Sequence, residues 1–263
     1  MSLLKERIDI MHENGGILVK VNPTPCTFAL AHSFLQNYGG SFANFIRELQ
    51  QEKPELTALD VVLKVVEVFP SFRDITMYEG RQGRSLNLRP VPVLPPLLTH
   101  SLAVYFLKRA QILVAETWAA FFPAPSTSSQ IPHPIFPGGG IHQLTMFADY
   151  RVPQILHHLK ILTYPPFLLD LLESGHDFEH GSKEEVSIRA ASVIAVERVR
   201  DEILSIRNQS RERAGAAAVG WKCELEVPIC SVLIDFYLWD AAKRIEDAGD
   251  IVVPPHKTRS IWY

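Results

Sequence analysis

Most of the chain shows apolar residues at helical spacing, broken by proline-rich joints, and no segment alternates apolar and polar residues in the manner of a half-buried strand. The pattern predicts an all-α or mainly α fold. Ser182 followed by Glu185 predicts a capping box at the start of one helix, and Gly249 predicts the C-cap of the last. The predicted helices cover residues 59–69, about 104–122, 141–148, 152–162, 167–172, 184–206 and 228–248.

The length of 263 residues permits one large or two small domains, and the chain shows no internal repeat. Residues 123–140 are rich in proline, serine and glycine, which is typical of a loop or linker between an N-terminal and a C-terminal part. The three glycines at 138–140 follow this stretch, and we expect a flexible loop there rather than a phosphate-binding one.

Composition and charge narrow the classes of function. With 47% hydrophobic residues among 263, the chain can bury a sizeable core. A net charge of −3 exerts no long-range attraction on phosphate backbones, so no stable nucleic-acid binding is expected, although a local basic pocket could hold one small phosphorylated ligand. Cys26, Cys223 and Cys230 match neither a disulfide framework nor a zinc site. No signal peptide and no apolar run of about 18 residues appears, so we expect a cytoplasmic protein without a membrane span.

The predicted last helix carries two carboxylates, Asp235 and Asp240, among apolar residues. Helical spacing places Phe236 and Asp240 one turn apart on the same face, so an aromatic ring and a carboxylate could contact one ligand together. The alternative is a core helix whose aspartates find backbone or arginine partners, and the pattern alone leaves both interpretations open.

Asp149 lies at the junction of two predicted helices, in the run Met-Phe-Ala-Asp-Tyr-Arg-Val-Pro-Gln at 146–154. The ends of helices and strands often carry functional side chains. However, an aspartate shortly before a first turn that contains Pro153 is also typical of a helix N-cap. The pattern by itself favours the cap.

Lys108 and Arg109 form a small cationic pair at the start of an otherwise apolar helix. Such a pair could hold a phosphate, although sequence alone favours two solvated side chains on a helix surface. The ten histidines show no metal-binding spacing, and His176 and His180, four residues apart, are too few. We therefore predict no metal.

Several segments, in this order, resemble the queuosine salvage family. They are Asn-Phe-Ile-Arg-Glu at 44–48, Phe-Pro-Ser-Phe-Arg-Asp at 69–74, Lys-Arg-Ala-Gln at 108–111, the run at 146–154, Glu-Val-Ser-Ile-Arg-Ala-Ala at 185–191, Tyr-Leu-Trp-Asp at 237–240, and residues 256–263. The resemblance spans most of the chain from about Gly39 onward and implies a single domain over residues 1–263. It implies a fold resembling helical DNA glycosylases and a hydrolase, without metal or cofactor, that cleaves queuosine 5′-phosphate between ribose 5′-phosphate and queuine. Queuine is a 7-deazaguanine bearing an aminomethyl-linked cyclopentenediol.

The resemblance also implies roles for individual residues. Breaking the glycosidic bond builds positive charge on the sugar, and a fixed carboxylate stabilises or captures it. The family motif assigns this role to Asp149. It assigns base binding to Phe147, Asp235, Phe236 and Asp240. Lys108 and Arg109 are our candidates for binding the 5′-phosphate, on charge and position alone.

The chain also departs from the family pattern. Family members begin with a further segment upstream of the part resembling residues 3–20, so this chain is expected to be N-terminally short. Inserted stretches are expected at about 21–32 and 83–104, which we interpret as intervening sequences or an incomplete gene model. Phe236 stands where the family often has tyrosine. These departures favour the alternative function, a non-catalytic helical base-binding or scaffold remnant.

Overall fold

The computed structural model describes residues 38–78, 102–122, 132–214, 229–250 and 253–262, and these ranges are mainly helical, as predicted. The likeness to helical DNA glycosylases stays a prediction. The helices are α1 (Phe42–Glu52), α2 (Ala58–Val68), α3 (Lys108–Ala120), α4 (Arg151–His158), α5 (Pro166–Glu173), α6 (Lys183–Ala214) and α7 (Ser231–Asp247). Short strands β1 (Ile75–Tyr78) and β2 (Leu102–Tyr105) pair antiparallel, and β3 (Asp177–Phe178) and β4 (Lys257–Thr258) pair parallel.

The predicted helix over about 104–122 was placed too early. Residues 102–105 form β2, in which Tyr105 pairs with Ile75 and Leu102 with Tyr78. Leu107 then adopts a left-handed backbone (φ 49°), and α3 begins only at Lys108. Residues 102–104 of the expected 83–104 insertion therefore belong to a sheet. The rest of that stretch, and all of 21–32, lie outside the described residues.

The predicted helix over 141–148 was also wrong. A single 3-10 turn at Ile141–Gln143 is followed by residues 144–149 without helix or strand, which we call the central segment. Its side chains are buried in different apolar clusters: Leu144 and Phe147 pack with α2 and α3, whereas Met146 packs with α4, α6 and α7. A helix would place its apolar residues on one stripe, so burial between two layers favours an extended chain here.

The capping box predicted for α6 forms only in part. The Ser182 hydroxyl accepts a hydrogen bond from the Glu185 N–H (3.3 Å), as predicted. The Glu185 carboxylate, however, accepts from the Gly181 N–H (3.1 Å) and from the Arg189 side chain (3.2 Å). At the end of α7 the C-cap is Ala248, and Gly249 follows it with a positive φ of 79°.

The glycines at 138–140 pack against the start of α2, in contrast to the flexible loop expected from sequence. Gly138 donates to the Leu56 carbonyl (3.1 Å), and the Gly139 carbonyl accepts from Ala58 N–H (2.9 Å). A Cβ at Gly138 would lie 2.4 Å from the Glu55 carbonyl oxygen, so only glycine fits this position. Residues 123–131 of the expected linker lie outside the described residues. Among the helices that are described, none is both long and apolar enough to cross a membrane.

Candidate active site

Asp149 lies at the end of the central segment, immediately before α4. Its N–H donates to the Phe147 carbonyl (2.6 Å), which makes a tight turn at Ala148. Its carboxylate Oδ1 accepts from the N–H groups of Arg151 (3.0 Å) and Val152 (2.9 Å), two of the first donors of α4. Asp149 therefore caps the helix through its side chain. Within the described residues both of these bonds end on Oδ1, so the cap does not use Oδ2.

The Asp149 carboxylate is 8% exposed, and this burial raises its pKa above that of an ordinary aspartate. The hydrogen bond from Val152 N–H and the charge of Lys108 act in the opposite direction by stabilising the ionised form. The positive end of the α4 dipole favours the same form. Asp149 is thus a buried carboxylate with backbone donors and a cation arranged to hold a negative charge.

A second carboxylate, Asp235 of α7, is held by the same segment. It is 3% exposed, and its Oδ2 accepts from the Phe147 N–H (2.9 Å). Burial raises its pKa well above the usual range, and the neighbouring charge of Asp149 raises it further. Asp235 accepts one backbone hydrogen bond and Asp149 accepts two, so Asp235 is the carboxyl of the two that more readily holds a proton. A protonated Asp235 can donate a hydrogen bond as well as accept one.

Lys108 brings a cation to these carboxylates. It is the first residue of α3 and is buried, so the interpretation of a solvated surface lysine is wrong. Burial lowers the pKa of its ammonium group, and the charge of Asp149 is the largest influence that raises it. The two side chains therefore stabilise each other's charged form.

Arg109 has different neighbours from Lys108. Its Nη1 donates to the carbonyls of Ile261 (3.4 Å) and Ser71 (3.5 Å), and its guanidinium lies over the Phe72 ring at 5.2 Å. These contacts join α3 to the 3-10 turn after α2 and to the C-terminal segment. The structure brings Lys108, but not Arg109, to Asp149.

An aromatic pair borders the carboxylates. The rings of Phe147 and Phe236 meet edge to face with their centroids 5.7 Å apart. Phe147 is buried and Phe236 is half-buried, so part of the second ring is accessible to a ligand. Asp240 lies one helical turn after Phe236 and is also half-buried. The predicted pairing of an aromatic ring and a carboxylate on one face of α7 is compatible with this arrangement.

Sequence reasoning missed four polar residues that lie buried beside the site: Asp74, Glu185, Arg189 and His256. Burial, together with the charges of Arg189 and Lys108, lowers the pKa of His256 to about 3, so its imidazole is neutral. All four residues belong to segments that carry the family resemblance. That was the available signal, but Glu185 was interpreted only as a helix cap.

Metal-binding clusters and surface grooves are two other kinds of site that the described parts of the chain could contain. These parts contain no group of three or more histidine, cysteine, aspartate or glutamate residues that could hold a metal ion. A groove of about 510 Å³ is lined by Ile161, Leu162 and residues of α6, and none of its lining residues belongs to the carboxylate cluster. The buried carboxylates therefore mark the candidate site better than surface shape does.

Comparison with known proteins connects this geometry to a family. The sequence profile of the queuosine salvage protein family matches residues 1–87 and 97–263. The chain belongs to this family. Segments that resemble the queuosine salvage family and are far apart in sequence supply Asp74, Lys108, Asp149 and Arg189 to one buried cluster, which Asp235 of α7 completes.

Relatives carry the same description across distant organisms. A Bos taurus protein named queuosine 5′-phosphate N-glycosylase/hydrolase is 34% identical over 270 residues, covering 100% of this chain and 59% of that protein. Proteins of the same name from Sphaerobacter thermophilus and Schizosaccharomyces pombe are 31% and 29% identical, each covering 99% of this chain and 58% and 57% of their own length. The chain thus spans about three fifths of the length of these queuosine salvage relatives.

Proposed function

We propose that this chain hydrolyses the N-glycosidic bond of queuosine 5′-phosphate and releases queuine. The observation that carries the proposal is the buried Asp149 carboxylate, fixed by two backbone N–H groups beside Lys108 and the Phe147–Phe236 pair. Membership of the queuosine salvage family and the names of the relatives support it. We propose no cofactor.

The proposed reaction needs one carboxylate and one water molecule. The bond between C1′ of the ribose and the ring nitrogen of queuine breaks, and its electron pair leaves with the base. Positive charge develops on the sugar, and we assign Asp149 Oδ2 to stabilise it or to bond covalently to C1′. Water then supplies the hydroxyl group at C1′, and its remaining proton balances the charge on the released base. The products are queuine and ribose 5-phosphate.

Substrate recognition is assigned to the groups around Asp149. Phe147 and Phe236 present ring faces or edges to a flat 7-deazaguanine. Asp235 and Asp240 contact the polar edge of the base and the cationic amine of its side chain. Phe236 lacks the hydroxyl of the tyrosine that the family often has at this position, but it keeps the aromatic face.

For the 5′-phosphate we propose Lys108 as the principal ligand, because it is the cation that the structure brings to Asp149. Arg109 stays a candidate with less support, since its guanidinium contacts the carbonyls of Ser71 and Ile261. The proposed substrate is a free nucleotide, so we propose neither a stable nucleic-acid complex nor a membrane partner, and we propose a cytoplasmic location.

The direct test is to incubate the full chain with queuosine 5′-phosphate and to quantify queuine and ribose 5-phosphate by mass spectrometry. We expect the two products in equal amounts, and no free guanine from guanosine 5′-monophosphate under the same conditions. Binding of queuosine 5′-phosphate without release of queuine over prolonged incubation would instead establish the non-catalytic base-binding alternative. Absence of both binding and release would reject the proposed site.

Replacing Lys108 by methionine should reduce kcat/KM for queuosine 5′-phosphate about 10- to 100-fold at neutral pH, because a hydrogen bond to a charged group contributes about 1.5–3 kcal/mol. The acidic limb of the pH–rate profile should also move to higher pH. Lys108 lowers the pKa of both Asp149 and Asp235, so without it these carboxyls hold their protons to higher pH. Kinetics across a pH series measure both effects.

The matched control for Lys108→Met is Lys64→Met on α2, where the lysine pairs with Glu67 at the surface. It should leave the pH–rate profile unchanged. The loss caused by Lys108→Met should be smaller with the nucleoside queuosine, which lacks the phosphate. Equal losses for nucleotide and nucleoside would contradict phosphate binding by Lys108, and an unshifted acidic limb would contradict its action on the carboxyl groups.

A further inference from the structure

Arg189 is a fully buried cation of α6 whose guanidinium bonds in three directions. Nη1 and Nη2 donate to the two oxygens of Asp74 (3.1 and 2.5 Å), a two-pronged geometry that only arginine provides. Nη1 also donates to Glu185 (3.2 Å), one helical turn earlier. The third nitrogen, Nε, donates to the Ala148 carbonyl (2.9 Å). The guanidinium lies 3.9 Å from the centroid of the Phe106 ring, which leaves it little freedom to move.

The bond to Ala148 acts on the backbone of Asp149. The Ala148 carbonyl and the Asp149 N–H belong to the same planar peptide unit, so a donor that fixes the carbonyl also fixes the plane of that unit. The other side of this unit is held by the bond from Asp149 N–H to Phe147. Arg189 therefore fixes the backbone on which the Asp149 carboxylate is mounted.

Asp74 extends the same network to Lys108. Its backbone carbonyl accepts from the N–H groups of Phe106 (3.0 Å) and Leu107 (3.2 Å). Its carboxylate Oδ2 accepts from the Lys108 N–H (3.3 Å), at the start of α3. Since no side chain of the N-cap residue Leu107 caps α3, Asp74 supplies acceptors that this helix start lacks. The Lys108 backbone and the peptide unit before Asp149 are thus both hydrogen-bonded to the Asp74–Arg189 pair.

We propose that Arg189, held by Asp74 and Glu185, is a positioning residue that keeps Asp149 at a fixed place relative to Lys108. The inference rests on the proposed function for its catalytic consequence, but not for the claim that Arg189 holds the central segment. Arg189 does not contact the reacting atoms, and a displacement of about 1 Å in a catalytic group can reduce the rate about 100-fold. A buried ion pair is by itself weak evidence for stability, which also favours a role in geometry.

Arg189→Lys tests the proposal, because lysine keeps the positive charge but cannot bind Asp74 with two nitrogens and reach Ala148 with a third. Hydrogen exchange followed by mass spectrometry should show faster exchange, by about tenfold or more, in peptides covering 144–156. For queuosine 5′-phosphate, kcat per folded molecule should fall about 100-fold while KM changes less than about threefold. The matched control is Arg200→Lys on the same helix, where the arginine pairs with Glu197 and Asp201. It should change neither measurement.

Each outcome decides part of the proposal. Wild-type exchange rates over 144–156 in folded Arg189→Lys would show that Arg189 does not hold the central segment, whatever the activity. Faster exchange with an unchanged kcat would refute the catalytic role. A wild-type chain that releases no queuine would refute the proposed function, while the exchange measurement would still decide the structural claim. If Arg189→Lys does not fold, Glu185→Gln replaces it as the test, because this variant keeps the bonds from Arg189 to Asp74 and Ala148. It should increase the exchange rate over 144–156 by a smaller factor. An unchanged exchange rate in Glu185→Gln would overturn the proposal.

Discussion

Asp149→Asn should abolish queuine release, with kcat lowered at least about 10²- to 10³-fold, while the fold remains intact. The amide oxygen of asparagine can still accept from the Arg151 and Val152 N–H groups, so the cap of α4 is kept. What disappears is the negative charge that stabilises the sugar. Product quantification by mass spectrometry and thermal unfolding of the same samples give the two readouts.

The same substitution should leave thermal stability at neutral pH unchanged or higher. The pKa of Asp149 is raised by burial in the folded state, so the folded chain binds this proton more tightly than the unfolded chain does. Stability from this group is therefore present at low pH and is lost as the pH rises through the folded-state pKa. Asparagine removes that loss, so the unfolding temperature of the variant should depend less on pH.

Asp170→Asn, an exposed position on α5, is the matched control and should change neither kcat nor stability. Normal turnover by folded Asp149→Asn would show that Asp149 has been misassigned. A large drop in unfolding temperature would instead mean that the charge itself, rather than the hydrogen bonds, stabilises the start of α4.

Of the variants proposed for this chain, Arg189→Met should lose the most stability, about 3–5 kcal/mol in the free energy of unfolding. The substitution removes the cation between Asp74 and Glu185, both of which are fully buried, so their charges lose the guanidinium that neutralises them. Equilibrium unfolding in urea measures the difference. Arg200→Met, which breaks a partly exposed pair with Glu197, should cost no more than about 1 kcal/mol.

A triple variant separates unpaired charge from lost packing. Combining Arg189→Met with Asp74→Asn and Glu185→Gln removes all three charges and keeps side chains of similar size. Part of the lost stability should return, because a neutral amide is less costly to bury than a carboxylate without its cation. If the triple variant is as unstable as Arg189→Met alone, the loss comes from the cavity and the unmade bond to Ala148 rather than from buried charge.

Local sequence was sufficient for most of the helices and for the family. Helical periodicity and the proline breaks predicted α2, α4, α5 and α6. Most boundaries agree to within about one turn, although α6 ends later than expected. These predictions succeed because the signals depend only on neighbours three and four positions away. The ordered motifs were sufficient to recognise the queuosine salvage family and to nominate Asp149, Asp235 and Phe236. The roles of these residues stay predictions.

Tertiary structure decided the conformation of the central segment and the environment of each charge. Residues 144–149 have a helical pattern, but they form neither helix nor strand because they lie between two apolar layers. Lys108 looked like a surface residue and is buried beside carboxylates from other segments. The bond from Arg189 to Asp74 joins positions 115 residues apart, and the bond from Phe147 to Asp235 joins positions 88 apart. Periodicity records which face of a helix is apolar, but burial and pKa depend on what packs against that face, and only the folded chain determines that.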